Sequence, residues 1–385
     1  MATNQYLSEL FRIIEGAIRL DGEKVKNYAL FLAEKLESDG DKTGARRLRS
    51  IIGKEIHKLH PAQVEQNKPV PVDGESRFPL LEKTEIGENV LNFVFAEPQK
   101  KIIDDYLVVI ESRATLEAND VLTGTNLLLY GPPGCGKTHL AQYIAFKLKL
   151  PLYTARIDGL ISSFLGSTAK NIQAIFEYAS KTPCILLLDE FDAIAKFRND
   201  QQELGELKRV VNSFIQNLDS HSSNALLIAA TNHEKLLDPA IWRRFDFLLN
   251  VGLPEFEQRQ ALWDYFAEKL HFHDKHIKVL ADLSEGYSGA AIKSTSSRLL
   301  QQSIISGNQP TLRDAVTILL SLKPEQNDGK SIINTETFND LTKLKKYLTA
   351  RNPDLYSLTI IGEIAGCSKA TMSRTYSKRK RTRKR

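Results

Sequence analysis

Apolar residues recur every three to four positions through the first fifty residues. Tyr6, Leu7, Leu10, Phe11 and Ile14 share one helical face, Val25, Tyr28, Ala29, Leu32 and Leu36 a second, and Ala45, Leu48 and Ile51 a third. This predicts three amphipathic helices in a small bundle over 1–58, with turns at Leu20-Asp21-Gly22 and Ser38-Asp39-Gly40. Four prolines among polar residues between His60 and Pro79 mark an extended linker, 59–84. The pattern then changes. The run Leu127–Tyr130 is apolar and is followed by a helix-like stretch, and Cys184–Leu188 is continuously apolar, as in a strand buried on both faces of a parallel sheet. Beyond Pro254 the helical period returns through Ala261–Leu270, Val279–Leu283, Ala291–Ile305 and Leu312–Leu322, until Lys323–Lys330 reads as a second linker. In Leu358–Arg374 a small residue at Gly362, a turn at Gly366, Ser368 as a helix cap and apolar Cys367 and Met372 at core spacing resemble a helix-turn-helix.

The strand pattern locates the chemistry. Gly131–Thr138 reads GPPGCGKT, a full phosphate-loop motif between an apolar strand and a helix. A triphosphate needs several backbone N–H groups close by, which Gly134 and Gly136 permit by lacking side chains; Pro133, Cys135 and His139 complete the loop and first turn. Lys137 is expected to reach the β- and γ-phosphates and the Thr138 hydroxyl to ligate Mg²⁺. The strand Cys184–Leu188 ends in two carboxylates. Asp189 is expected to hold the Mg²⁺ through water, and Glu190 to polarise the attacking water, which a mere nucleotide sensor would not need. ATP and Mg²⁺ are therefore the expected cofactors, and the expected enzyme is an ATPase.

Around these motifs the sequence resembles the AAA ATPases, in their classical clade, over about residues 85–320. Leu226–Asn232 is similar to the family's next strand, which implies that Asn232 is the sensor of the attacking water or γ-phosphate. Leu237–Asp246 is similar to its second region of homology, whose arginines enter the neighbouring subunit's site; Arg209–Asp219 and Gly286–Ala290 match as well. Relatives carry residues such as Pro-Gly between the two arginines. Here Arg243 and Arg244 are adjacent, so either can be the principal finger, Arg244 aligning better. The resemblance implies a P-loop α/β fold with a parallel sheet and a helical lid, divided into a large subdomain 85–252 and a lid 253–323, and a homo-oligomeric ring, expected to be a hexamer. Phe164, Leu165 and Gly166 occupy the place of the aromatic pore loop that grips a polypeptide substrate.

Composition adds limits. The chain has 385 residues, 42% hydrophobic and 26% charged, enough for two or three domains. Cys135, Cys184 and Cys367 form no metal-site or disulfide spacing, no run is long enough to span a membrane, and the amino-terminal stretch is too polar for a signal peptide, so a cytoplasmic location is expected. The last eight residues hold seven cations, without which the formal charge of +5 becomes −2. That tail, 378–385, follows the helix-turn-helix-like module 324–377. Lys369, Thr371, Arg374, Lys378, Arg379, Lys380 and Arg381 are accordingly the residues by which the chain would contact DNA. Two functions remain open. One is an unfoldase or remodeller of proteins; its layout also resembles small bacterial AAA ATPases encoded beside subtilisin-like proteases, in plasmid maintenance or phage defence. The other is a DNA-associated motor or regulator.

Overall fold

The computed structural model describes residues 6–19, 21–56, 70–74, 76–87, 94–119, 121, 124–157, 168–193, 213–219, 226–322, 333 and 335–368. It divides into two compact units. One comprises Met1–Phe93, Glu97–Tyr130 and Lys137–Asn250, the other Val94–Ala96, Gly131–Gly136 and Val251–Arg385.

The first unit opens with helices α1 (Leu7–Ile18), α2 (Gly22–Ser38) and α3 (Lys42–Ile56). Asp21 caps α2 by accepting a hydrogen bond from the Lys24 N–H at 3.1 Å. Then follow β1 (Glu82–Thr84), α4 (Glu97–Glu111), α5 (Arg113–Ala118), β2 (Leu127–Tyr130), α6 (Lys137–Leu148), β3 (Leu152–Arg156), α7 (Thr168–Lys181), β4 (Ile185–Asp189), β5 (Leu226–Thr231), α8 (Pro239–Trp242) and β6 (Phe247–Asn250). The strands make one sheet in the order β1-β3-β4-β5-β2-β6. Only β1 runs antiparallel, against β3. Strands β2, β4 and β5 lie in the interior and have almost no exposed surface, which explains their unbroken Leu, Ile and Ala content.

Register puts the functional ends together. Tyr130 at the end of β2 pairs with Thr231 at the end of β5, and Arg156 at the end of β3 pairs with Asp189 at the end of β4. The carboxyl edge of a parallel sheet is where such folds bind ligands. Beneath that edge a line of edge-to-face rings runs Phe176–Phe214–Phe191–Phe245, with centroids 5.4, 5.4 and 5.7 Å apart. It links the residue after Glu190 to the residue after Arg244.

The second unit is helical: α9 (Phe256–Phe266), α10 (Asp274–Leu283), α11 (Gly289–Ser306), α12 (Leu312–Ser321), α13 (Thr335–Asn339), α14 (Leu341–Arg351) and α15 (Leu358–Ala365). Ser288, Thr311, Asp340 and Ser357 cap four of these helices with side-chain oxygens, and Gly307 and Gly366 end two in the left-handed conformation. One hydrophobic core serves all of it. Trp263, Leu280, Ile292 and Val316 pack in the same cluster as Leu344, Leu348, Tyr356 and Ile361. Arg351 fastens α14 to α10, donating to an Asp282 carboxylate oxygen at 2.6 Å, the Asp282 carbonyl at 3.0 Å and Glu285 at 2.5 Å, while the Tyr356 hydroxyl donates to Asp282 at 2.5 Å. These bonds hold the guanidinium above its ordinary pKa despite the opposing effect of burial. Among the described residues no helix is long and apolar enough to cross a membrane.

Candidate nucleotide site

In the first unit Lys137 begins α6 directly after the glycine loop and is buried. One residue on, the Thr138 hydroxyl donates to an Asp189 carboxylate oxygen at 3.0 Å. The other oxygen of Asp189 accepts from the Glu190 backbone N–H at 2.9 Å. Glu190 has a φ of 54°, a left-handed backbone that costs a non-glycine residue about 1–2 kcal/mol. Such strain turns the chain sharply at the end of β4, and the Glu190 carboxylate is met there by Arg156 at 3.4 Å. The hydroxyl and carboxylate of Thr138 and Asp189 are hard oxygen donors suited to Mg²⁺. Among the described residues no group of three or more His, Cys, Asp or Glu side chains is placed to hold a metal ion.

Asp192 was not legible as a functional residue in the sequence. It is buried, and one carboxylate oxygen accepts from the Thr231 hydroxyl at 3.2 Å and the Asn232 N–H at 3.4 Å. The Thr231 hydroxyl also accepts from the His233 N–H at 3.1 Å. The acid two residues past Glu190 therefore fixes the backbone that carries Asn232.

The arginine loop is clamped from within the same unit. Arg244 makes a two-point ion pair with Asp219, at 3.0 and 3.1 Å, and donates to the Ala240 carbonyl at 2.5 Å. The hydrogen bond to Asp219 raises its pKa. Arg243, by contrast, is exposed; its backbone N–H donates to the Pro239 carbonyl at 3.4 Å, but its side chain forms no hydrogen bond or ion pair with any described residue. Asn126, just before β2, binds the loop through its carbonyl to the Asp246 and Phe247 N–H groups at 3.0 and 3.1 Å and through its side chain to the Arg244 carbonyl at 2.9 Å. A Cβ on Gly124 would overlap the Asp246 carboxylate. The segment leading into β2 thus seats the loop that carries Arg244 within the first unit.

The glycine loop 131–136 clusters with the second unit. Gly131, Gly134 and Gly136 all have positive φ, and the Gly134 carbonyl accepts from the Ala290 N–H at 3.0 Å. A Cβ at Gly134 would lie 2.8 Å from the Ser288 hydroxyl and 2.9 Å from the Ala290 methyl, so both backbone angle and space require glycine. Pro133 is exposed and Cys135 half-buried, its thiol 3.8 Å from the Pro133 carbonyl; His139, on α6, faces Gln142 at 3.3 Å. Phe266 packs against the helical core. Phe164, Leu165 and Gly166 lie outside the described residues, as do Lys369, Thr371, Arg374 and Lys378 through Arg381.

Comparison with known proteins agrees with this geometry. The family model for the "ATPase family associated with various cellular activities (AAA)" matches residues 127–253. An uncharacterised AAA family ATPase of Sinorhizobium fredii, y4kL, is 35% identical over 277 residues, covering 70% of this chain and 81% of that protein. A proteasome-activating nucleotidase of Saccharolobus islandicus is 34% identical over 215 residues, 54% of this chain. One from Sulfurisphaera tokodaii is 34% identical over 222 residues, 55% of this chain. The chain spans about half the length of these nucleotidases, 55% and 56%. The crystal structure of the FIGL-1 AAA domain in complex with ADP shares the fold, with a TM-score of 0.54 at 23% identity, covering 67% of this chain and 91% of that one. Strand-loop-helix, paired acids and family match converge: the chain belongs to the AAA family and is an ATP-hydrolysing enzyme.

Proposed function

We propose that the chain forms a homo-oligomeric ring, hexameric as the family resemblance implies, and uses Mg-ATP hydrolysis to unfold, thread or remodel a protein substrate. The geometric observation that carries the hydrolytic part is the Thr138–Asp189 contact at 3.0 Å with Glu190 turned out beside it. In this reading Thr138 and Asp189 hold Mg²⁺, which neutralises phosphate charge, and Lys137 and the loop N–H groups hold the phosphates. Glu190 accepts a proton from the water whose oxygen bonds to the γ-phosphorus as the bridging P–O bond breaks, and Arg156, 3.4 Å away, orients the carboxylate until then. Asn232 aligns that water. Of the two adjacent arginines, Arg243 is the one exposed and uncommitted, and so takes the role in the neighbouring subunit's site, while Arg244 braces the loop through Asp219.

A polypeptide substrate is supported by the 34% identity to proteins named proteasome-activating nucleotidases and by Phe164, Leu165 and Gly166 at the pore-loop place in the sequence. A protease partner, subtilisin-like or other, belongs to the same reading.

The test compares wild type with Glu190→Gln and Arg243→Ala, reading ATPase and the unfolding of a tagged reporter, with casein and duplex DNA as competing stimulants. Glu190→Gln is expected to bind ATP without turnover. Arg243→Ala alone is expected to lose about 10³-fold or more in rate and to regain activity when mixed with Lys137→Ala. Stimulation by DNA alone, with no unfolding, would replace the proposed substrate. Full activity of Arg243→Ala beside a dead Arg244→Ala would exchange the two roles.

A further inference from the structure

A cavity of about 510 Å³ lies within the first unit, between the amino-terminal helices and the edge of the sheet at which its parallel strands begin. Glu9 and Arg12 on α1 and Tyr28, Phe31 and Lys35 on α2 line one side. The other side includes Arg113 at the start of α5, Lys147 on α6, and Leu150, Cys184 and Leu226, which stand at or just before the starts of β3, β4 and β5. Asp189 ends β4 and Asn232 follows β5 at the opposite edge, so the cavity is separate from the nucleotide site. Its two sides are tied together. The Asn27 amide donates to the Lys181 carbonyl at 3.1 Å, and the Lys149 ammonium to Asp39 at 3.3 Å.

Two buried polar side chains on this cavity lack partners. Tyr28 is 7% exposed, and its hydroxyl forms no hydrogen bond with any described residue. Burial pushes the phenol up to about 12 against the opposing effect of Arg12 and Arg113, so it stays a protonated donor beside two guanidiniums. Glu9 is 6% exposed; one carboxylate oxygen accepts from Lys35 at 3.1 Å, and the other is buried with no partner among the described residues. Buried polar groups are nearly always hydrogen-bonded, so a donor and an acceptor left over on one cavity mark where a ligand's polar atoms belong.

The lining also decides the kind of ligand. Five cations, Arg12, Lys35, Arg113, Lys147 and Lys149, stand against the two carboxylates of Glu9 and Glu111. Arg12, Lys35 and Lys149 bond to Glu15, Glu9 and Asp39, but each keeps further N–H groups. Burial holds the Cys184 thiol up at about 12, so it adds no negative charge. The phenol and the cations call for an anionic acceptor, and the spare Glu9 oxygen calls for a donor. Phe31, Ile110, Leu148, Leu150 and Leu226 offer contact to an apolar body. A volume of about 510 Å³ suits a molecule of drug size, not a folded partner. We propose that this cavity binds a small organic anion, with an apolar body that carries one acidic group and one N–H or O–H donor. The inference does not rest on what the ATPase does to its substrate.

The experiment titrates the full chain with anilinonaphthalene sulfonate, which has an aromatic body, a sulfonate and one N–H, and reads its fluorescence. One saturable site per chain with micromolar affinity is expected, undisturbed by excess Mg-ADP. N-phenylnaphthylamine, the same body without the sulfonate, should bind roughly tenfold more weakly or worse, as a charge-assisted hydrogen bond requires. Tyr28→Phe should weaken the sulfonate roughly tenfold with no fall in melting temperature, because the lost hydroxyl had no partner in the protein. Lys147→Glu, at an exposed position, should weaken it severalfold. Ile18→Asp, which removes a side chain of α1 that is 78% exposed and outside the cavity, should change nothing. No saturable binding at about 1 mM overturns the proposal. So does displacement by Mg-ADP, which would put the probe in the nucleotide site, or loss of binding in Ile18→Asp, which would put it on the surface of α1. Equal affinity of the two probes, or of Tyr28→Phe and wild type, would refute the assigned chemistry, and a Tyr28→Phe protein that melts several degrees early would show that the hydroxyl serves the fold.

Discussion

Replacing Asp192 by alanine should damage turnover more than nucleotide binding, and the hydrogen bonds around it set the size of the effect. Thr231 has no exposed surface, so removing its acceptor strands a buried hydroxyl at about 1–3 kcal/mol. The longer bond from the Asn232 N–H, at 3.4 Å, adds about 1 kcal/mol or less. A destabilisation of about 1–4 kcal/mol is therefore expected in urea denaturation of the purified protein. The catalytic consequence is separate. Asn232 follows Thr231 directly, and a misplacement of about 1 Å at a reacting centre can cost about 10²-fold. Asp192→Ala should thus lower kcat about a hundredfold while an ATP analogue binds within a fewfold of wild type, because the phosphate loop is untouched. Asp192→Asn retains an acceptor oxygen for both donors and should stay within about tenfold in kcat. If Asp192→Ala is destabilised yet turns over at the wild-type rate when saturated, Asp192 does not position Asn232. Loss of nucleotide affinity at constant kcat would equally refute the reasoning.

Three further outcomes are expected. Gly134→Ala combines a left-handed backbone penalty of about 1–2 kcal/mol with overlap at Ser288 and Ala290, and should abolish tight ATP binding in equilibrium titration while far-UV circular dichroism is unchanged. Arg351→Ala removes three hydrogen bonds and leaves Asp282 without its cation, so the helical unit should lose about 2–4 kcal/mol, visible as earlier protection loss in its amides by hydrogen exchange. Burial works to raise the Glu15 pKa, but Lys24 and Arg12 outweigh it and hold the carboxyl below its ordinary 4.5. A depressed carboxylate contributes stability above its unfolded pKa that disappears as pH falls through the folded value. The melting temperature should therefore fall below pH 4.5, and Glu15→Gln should flatten that acid limb.

The parts of the fold legible in the sequence were those with a strong local signature. Strands β2 and β4 announced themselves as unbroken apolar runs because they lie in the sheet interior, β5 was legible through the family resemblance, and GPPGCGKT fixes its own backbone shape. What stayed hidden depends on contacts between distant residues. Asp192 looks like any acid after Asp189-Glu190 until β5 arrives beside it, and Asn126 and Gly124 carry no signal of the arginine loop that they seat. That Arg244 is ion-paired while Arg243 is exposed could not be read locally, because Asp219 lies twenty-five residues before Arg244. Helix α1 had the right period, but the period alone does not say which face turns inward. That was settled by Lys24 and Lys35 on α2.

The common core of the helical unit bears on how the carboxyl-terminal region can be studied. Ile361 and Leu344 occupy the same interior as Val316 and Leu280, so a chain stopped at Leu322 would be missing part of its own lid and would expose the underside of α12. Loss of ATPase in such a truncation would report an unfolded lid and say nothing about DNA or any other ligand of the terminus. A stop after Ser368 leaves every described core residue in place, so its phenotype would report on residues 369–385 and not on the loss of this shared core.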